Sequence, residues 1–375
     1  NQLKYKKVGF IINHTSVGEE GKHLIDLAIE ENIQIKAIFT PEHGFLGLAE
    51  AGEQVSNETE LLSGVPIFSL YGKNKKPTKE MLLDIDILVF DIQDIGVRYY
   101  TYISTMMMIM ETAAQYGIPL MILDRGNPLG RGVDGPFLDS NYSSFVGMNP
   151  IPTRHGMSIG ELSQMIAGEG WLENKDSINL SILKYKGRYD IKDALQAFKI
   201  HPSPNMQSLN TAWVYQGLCL LEGTNLSEGR GTQSPFLLFG APWLNSKELY
   251  IKLNKIKSET DSFQIIEFTP QSNAGSKFPK FHKEKCKGLL IENLVDPIEF
   301  TIRLLGLINL QHPNEFKFLE TKFIDKLYGS DKLRYAISKN KNLDEVVRNY
   351  KKNNPKFLSI REKYLIYEDE YYYKN

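Results

Sequence analysis

The sequence predicts an α/β fold in which a doubly wound parallel sheet is followed by a smaller α+β domain. Short apolar runs recur through the first 125 residues without polar alternation. Helix-patterned stretches separate them. Ionisable residues follow several of the runs directly. Strands that are apolar on both faces and alternate with helices belong to a parallel sheet covered on both sides.

Val8 to Ile12 is the first strand, followed by a polar turn and a helix from about Gly21 to Glu31. Ile35 to Phe39 is the second, running into Pro41-Glu42-His43-Gly44. Val65 to Leu70 is the third, and Pro77 to Leu83 reads as a short helix. Ile85 to Phe90 is the fourth, with a polar turn at Asp91 to Gly96 and a long helix from about Tyr100 to Tyr116. Within that helix the run Ile103 to Met110 is broken by Ser104 and Thr105. It is far short of the roughly 20 apolar residues of a membrane span and reads as a buried helix. Pro119 to Leu123 is the fifth strand and ends at Asp124-Arg125. This half is therefore a Rossmann-like domain.

Beyond it the pattern is less regular. Ser158 with Glu161 three residues on is a capping box opening a helix to about Ala167. Pro202-Ser203-Pro204-Asn205 is a rigid turn, and a helix near Leu209 to Leu221 leads into the polar glycine loop Gly223 to Gly231. From about Asn245 the order is helix, strands near Phe263 to Phe268 and Gly288 to Glu292, then helices to the end. The expected division is a Rossmann-like domain over residues 1–240 and a smaller α+β domain over 241–375, the break lying in Pro235 to Trp243.

Composition narrows the function. The 375 residues carry 44 Lys+Arg against 45 Asp+Glu, a net charge of −1, which disfavours a nucleic-acid binder held by bulk charge. Two cysteines, Cys219 and Cys286, exclude a disulfide-dense scaffold and a cysteine-built zinc site. They leave either two buried thiols or one disulfide. The first residue is Asn1 rather than Met, which fits a form whose export signal has been removed.

In open parallel sheets ligands bind at the carboxyl ends of the strands. Asn13-His14, Glu42-His43, Asp91 to Asp94 and Asp124-Arg125 all stand there. Asp and Asn at such positions also serve simply as helix caps, although a cap does not call for Arg or His. The first strand–helix turn lacks G-x-G-x-x-G, so no nucleotide is expected. No G-x-S-x-G elbow is present. His14, His43 and His155 are dispersed without H-E-x-x-H spacing, so neither a metal nor another cofactor is implied.

Carboxylates, arginines and aromatics remain, a set that suits sugar processing. Glycosidases typically use one carboxylic acid to protonate the leaving oxygen and a second carboxylate, or a bound water, on the other face. Glu42 is the candidate acid, at a strand end with Gly44 and Gly47 leaving room for a ligand. Asp91 and Asp94 either orient a water or bind hydroxyls, or cap the following helix. Glu228, in Ser227-Glu228-Gly229-Arg230-Gly231, either faces the ligand or brackets Arg230. Tyr99, Tyr100, Tyr102, Trp213 and Trp243 offer stacking faces for pyranose rings.

Pro41 to Phe45 and Phe90-Asp91-Ile92-Gln93-Asp94-Ile95-Gly96-Val97-Arg98-Tyr99-Tyr100-Thr101-Tyr102 resemble signature blocks of the NamZ-type exo-β-N-acetylmuramidases, a bacterial glycosidase family formerly known only as a domain of unknown function. Leu123-Asp124-Arg125 with Asn127-Pro128, His155-Gly156-Met157, Pro202 to Met206, Leu221 to Gly231 and Lys363 to Tyr367 are similar to further blocks in the same order. The resemblance implies a Rossmann-like catalytic domain with a smaller auxiliary one. It also implies release of terminal N-acetylmuramic acid from the non-reducing ends of peptidoglycan fragments, with Glu42 as the catalytic residue. Asp91, Asp94 and Glu228 are the other catalytic candidates. His43, Tyr99, His155 and Asn205 are substrate-binding candidates beside them.

N-acetylmuramic acid differs from N-acetylglucosamine by a lactyl ether bearing a carboxylate. A planar guanidinium reads a carboxylate through two hydrogen bonds, so Arg98, Arg125, Arg154 and Arg230, each beside a block, are the candidate readers. The expected partners are muropeptides or the N-acetylmuramic acid–N-acetylglucosamine disaccharide. With them goes a periplasmic or extracellular location. The alternative is a non-catalytic muropeptide-binding cell-wall protein.

Overall fold

Strand β1 (Lys7–Ile12) runs through the middle of the larger sheet, and its alternate side chains enter two different cores. Val8, Phe10 and Ile12 pack on one face with Ile25 and Ala28 of helix α1 (Leu24–Glu30), whereas Ile11 packs on the other with Met106, Ile109 and Met110 of α2 (Tyr102–Tyr116). This period of two in a strand with no polar face gives a sheet covered on both sides. The computed structural model describes residues 2–18, 20–49, 58–59, 64–72, 74–174, 178–185 and 198–367.

The other strands are β2 (Gln34–Thr40), β3 (Glu58–Thr59), β4 (Pro66–Ser69), β5 (Ile87–Asp91), β6 (Leu120–Leu123) and β7 (Leu180–Leu183). Their order is β3-β4-β2-β1-β5-β6-β7; every pairing is parallel except β3 with β4. Helix α3 (Ile159–Gly168) covers the same face as α2 and begins with the expected capping box, Ser158 and Glu161 exchanging side-chain and backbone hydrogen bonds. The carboxyl ends of β1, β2 and β5 lie side by side at the centre, where the strand order reverses from β1–β2 to β1–β5. That is where an open α/β sheet offers a ligand crevice.

The smaller layer has a three-stranded antiparallel sheet, ordered β8-β10-β9, from β8 (Leu238–Ala241), β9 (Ser262–Phe268) and β10 (Cys286–Asn293). Helix α4 (Leu209–Leu218) packs on α5 (Pro297–Gln311). A Cβ at Gly217 would stand 1.9 Å from the Pro297 carbonyl oxygen, so only glycine lets these helices approach so closely. The core is continuous across both layers: Phe90 and Met106 share one buried cluster with Tyr215, Phe239 and Leu305. Cys219 and Cys286 are buried free thiols. No described helix is long and apolar enough to cross a membrane.

The fold class is the expected one, with local departures. The short helix expected over Pro77 to Leu83 is instead a run of turns over residues 79–84, closed by three-residue hydrogen bonds such as Leu82 N–H to Lys79 O, and Asp84 at φ +63° ends them. Strand β7 was hidden by its half-exposed pattern at the sheet edge. The expected boundary at 240/241 falls inside β8, which pairs with β10; α4 before it also packs on the smaller layer.

Candidate active site

Pro41 ends β2 at the carboxyl edge, and the next residues turn sharply so that Glu42 faces inward. His43 is at φ +74°, Gly44 at +73° and Gly47 at +68°. A Cβ on Gly47 would lie 2.0 Å from the His14 ring, so the turn and the first strand–helix loop are packed together. The Glu42 carboxylate accepts a hydrogen bond from Thr101 Oγ at 2.6 Å, which ties it to the start of α2. His43 Nδ1 lies 2.6 Å from Ala49 O, and burial pushes its imidazole below the ordinary histidine range against the pull of Glu42.

Glu42 and His43 open into a cleft of about 590 Å³. Tyr99, Tyr100 and Tyr102 form part of its wall, and Asn205 reaches it from the proline-rich turn while donating to Gly275 O at 2.6 Å. The smaller layer supplies Glu222, Glu228, Arg230 and Lys280. Arg230 donates to Glu222 at 2.9 Å and stands 3.7 Å from Glu228, its guanidinium 4.9 Å from the Phe236 ring centre. Burial works against that charge, but Glu222 and Glu228 more than offset it and hold Arg230 above its ordinary value. Glu228 also pairs with Lys280 at 3.0 Å. The bracket weighed for Glu228 and Arg230 is thus present, and it sits in the wall of the cleft.

Of the residues expected from sequence, the cleft gathers Glu42, His43, Tyr99, Asn205, Glu228 and Arg230. The others have structural positions instead. Arg98 is fully buried and donates to the carbonyls of Pro136, Ile151 and Leu327, tying loops to the smaller layer. Arg125 is spent on Asp91, with Nε 2.5 Å and Nη2 3.0 Å from its two carboxylate oxygens, and also bonds Val17 O at 3.1 Å. Asp91 is therefore a partner for Arg125 rather than a cleft group. The Arg154 guanidinium stacks 4.7 Å from the Trp213 ring centre, away from the cleft. Trp213 itself donates to Leu294 O, and Trp243 packs on His312.

Asp94 and His155 lie behind the wall. Asp94 accepts from Gly96 N–H at 2.6 Å and stands 4.0 Å from His155 Nε2. Burial raises the Asp94 carboxyl to about 7 and lowers His155 to about 3. In mildly acidic solution the pair is a neutral acid beside a neutral imidazole. The sign of the linkage follows. Between the ordinary carboxyl value of 3.8 and about 7, the folded chain keeps a proton that the unfolded chain has lost. The stability from this group therefore falls as pH rises through that window. Asparagine cannot titrate, so Asp94→Asn is expected to gain on the wild type by at most about 1.4 kcal/mol per pH unit across it. Urea unfolding of both proteins at pH 5 and pH 7.5 checks this; a pH-independent difference would refute it.

Several cleft residues were not among the candidates. Glu222 lies inside a signature block and was legible there. Lys280 stands in Phe278-Pro279-Lys280-Phe281, a cation framed by aromatics, which was a usable signal. Lys75 sits in a lysine-rich stretch that reads as solvated surface, and Tyr71 and Phe145 gave no sign.

The parallel-sheet fold and a carboxylate-bearing, tyrosine-walled cleft at its switch point define an α/β protein with a site shaped for a polar, ring-bearing ligand. Comparison with known proteins agrees. The N-terminal domain of the NamZ exo-β-N-acetylmuramidases matches residues 8–210, and their C-terminal domain matches residues 213–367. The chain belongs to this glycosidase family. It is 40% identical over 372 residues to the peptidoglycan β-N-acetylmuramidase NamZ of Bacillus subtilis, covering 98% of this chain and 88% of that one. Two crystal structures of DUF1343 family proteins from Bacteroides fragilis are similar. One has a TM-score of 0.80 at 34% identity, covering 98% of this chain and 96% of that chain. The other has 0.87 at 30%, covering 98% and 95%.

Proposed function

We propose that this protein is an exo-acting glycoside hydrolase that releases N-acetylmuramic acid from the non-reducing ends of peptidoglycan fragments, with Glu42 as general acid. The observation that carries this reading is the placement of Glu42. It lies at the carboxyl end of a central strand, on a cleft whose volume suits a small saccharide, in a chain that matches the family along nearly its full length. Tyrosine faces suit pyranose rings. Thr101 fixes the carboxyl group in one orientation, as proton transfer to a leaving oxygen requires.

Glu228 is the candidate for a second carboxylate, and His43, Tyr99, Asn205 and Arg230 for substrate contacts. Peptidoglycan fragments arise outside the cytoplasmic membrane, which supports a periplasmic or extracellular place of action. Incubation of the purified protein with the N-acetylmuramic acid–N-acetylglucosamine disaccharide tests the reading. Release of both monosaccharides is expected. Binding of the disaccharide with no release on prolonged incubation would instead make it a muropeptide-binding protein.

A further inference from the structure

The lactyl carboxylate of N-acetylmuramic acid needs a cation that the protein has not already neutralised. Among the described residues, Arg230, Lys280 and Lys75 are the lysines and arginines that line the cleft. Arg230 is committed to Glu222 and Glu228. Lys280 is committed to Glu228 and to the carbonyls of Leu221 and Leu226, at 3.0 and 2.9 Å. His43 is kept below its ordinary range by burial and is not a cation at neutral pH.

Lys75 differs. Its ammonium lies 4.8 Å from the centre of the Phe145 ring, and no carboxylate among the described residues pairs with it. Phe145 is itself part of the cleft wall, continued by Tyr71 with ring centres 6.0 Å apart. An aromatic face attracts an ammonium through its quadrupole and positions it without cancelling its charge. Among the described residues, the cleft thus holds one cation that is placed by an aromatic face and not paired with a carboxylate.

We propose that Lys75 is the specificity-determining residue that pairs with the carboxylate of the terminal sugar; this rests on the function proposed above. It replaces the arginines expected from sequence, three of which lie outside the cleft while the fourth is already paired. A lysine reads the carboxylate as a point charge on a flexible stem, so selection against N-acetylglucosamine comes from charge rather than from a bidentate fork.

Calorimetric titration of the full chain with N-acetylmuramic acid and with its methyl ester separates the charge from the rest of the sugar. Wild type is expected to bind the acid more tightly than the ester, and Lys75→Met to lose about tenfold in affinity for the acid only. Lys75→Arg is expected to restore most of the loss. Added salt should weaken acid binding in the wild type and leave the ester unaffected. Unchanged acid affinity in Lys75→Met, or an equal loss for acid and ester, would overturn the assignment. If the wild type cleaves no muramic acid glycoside yet shows the Lys75-dependent preference for the acid, the hydrolase reading fails and the assignment of Lys75 stands.

Discussion

Glu42→Gln is expected to lower kcat/KM for the N-acetylmuramic acid–N-acetylglucosamine disaccharide by about 10²- to 10⁴-fold, the usual worth of a positioned general acid. Glutamine has the size of glutamate and keeps an oxygen to accept the Thr101 hydrogen bond, so the turn at Pro41 should hold. It cannot deliver a proton to the departing sugar oxygen. Acid catalysis matters most where the leaving group is a poor one. A nitrophenol leaves readily without a proton, so the variant should retain far more of its activity on a nitrophenyl muramic acid glycoside than on the disaccharide. Steady-state kinetics on both substrates, with circular dichroism to confirm folding, check this. An equal loss on both would point to a nucleophilic or positioning role for Glu42, and no loss on either would remove it from the chemistry.

The larger sheet was legible because its information is local. Strands such as Ile87–Asp91 are buried on both faces and show no alternation, and Ser158 with Glu161 announces a helix start within four residues. Glu42 was legible for the same reason: a carboxylate directly after a strand, beside glycines, lies where the parallel sheet opens. Local pattern fails where the partner is distant. Arg98 and Arg125 look in sequence like ligands for an anion, but whether a guanidinium faces a cleft or a protein group depends on residues far away. Arg98 meets Leu327 O across more than two hundred residues, and Arg125 meets Asp91 on the neighbouring strand. Lys75 fails in the opposite direction. Its neighbour Lys76 is exposed, and only the fold brings Phe145 beneath Lys75. Strand β7 was lost because an edge strand with alternating exposure carries too little apolar signal over four residues.

Glu161 joins a local signal to a distant one, and its loss should be the most damaging to stability of any single substitution considered for this chain. One carboxylate oxygen accepts from Ser158 N–H at 2.9 Å and completes the capping box. The same group forms a two-point pair with Arg131, with one contact at 2.8 Å, and accepts from Ile366 N–H at 3.0 Å. Both side chains of the pair are almost fully buried, at 1% and 0% exposure. Removing one member takes from the other its buried charge partner, which costs about 3–5 kcal/mol. Glu161→Ala is therefore expected to lower Tm by roughly 4–6 °C. Desolvation, not the attraction alone, sets that cost. The double variant Arg131→Met with Glu161→Leu, which removes both charges and refills the space, should therefore be more stable than Glu161→Ala. Differential scanning calorimetry of the two variants decides the matter. A double variant no more stable than Glu161→Ala would mean that the capping box and the Ile366 contact carry the stability instead of the ion pair. Because Glu161 and Arg131 do not line the cleft, the folded fraction of Glu161→Ala at low temperature should retain its kcat, which separates this loss from that of Glu42→Gln.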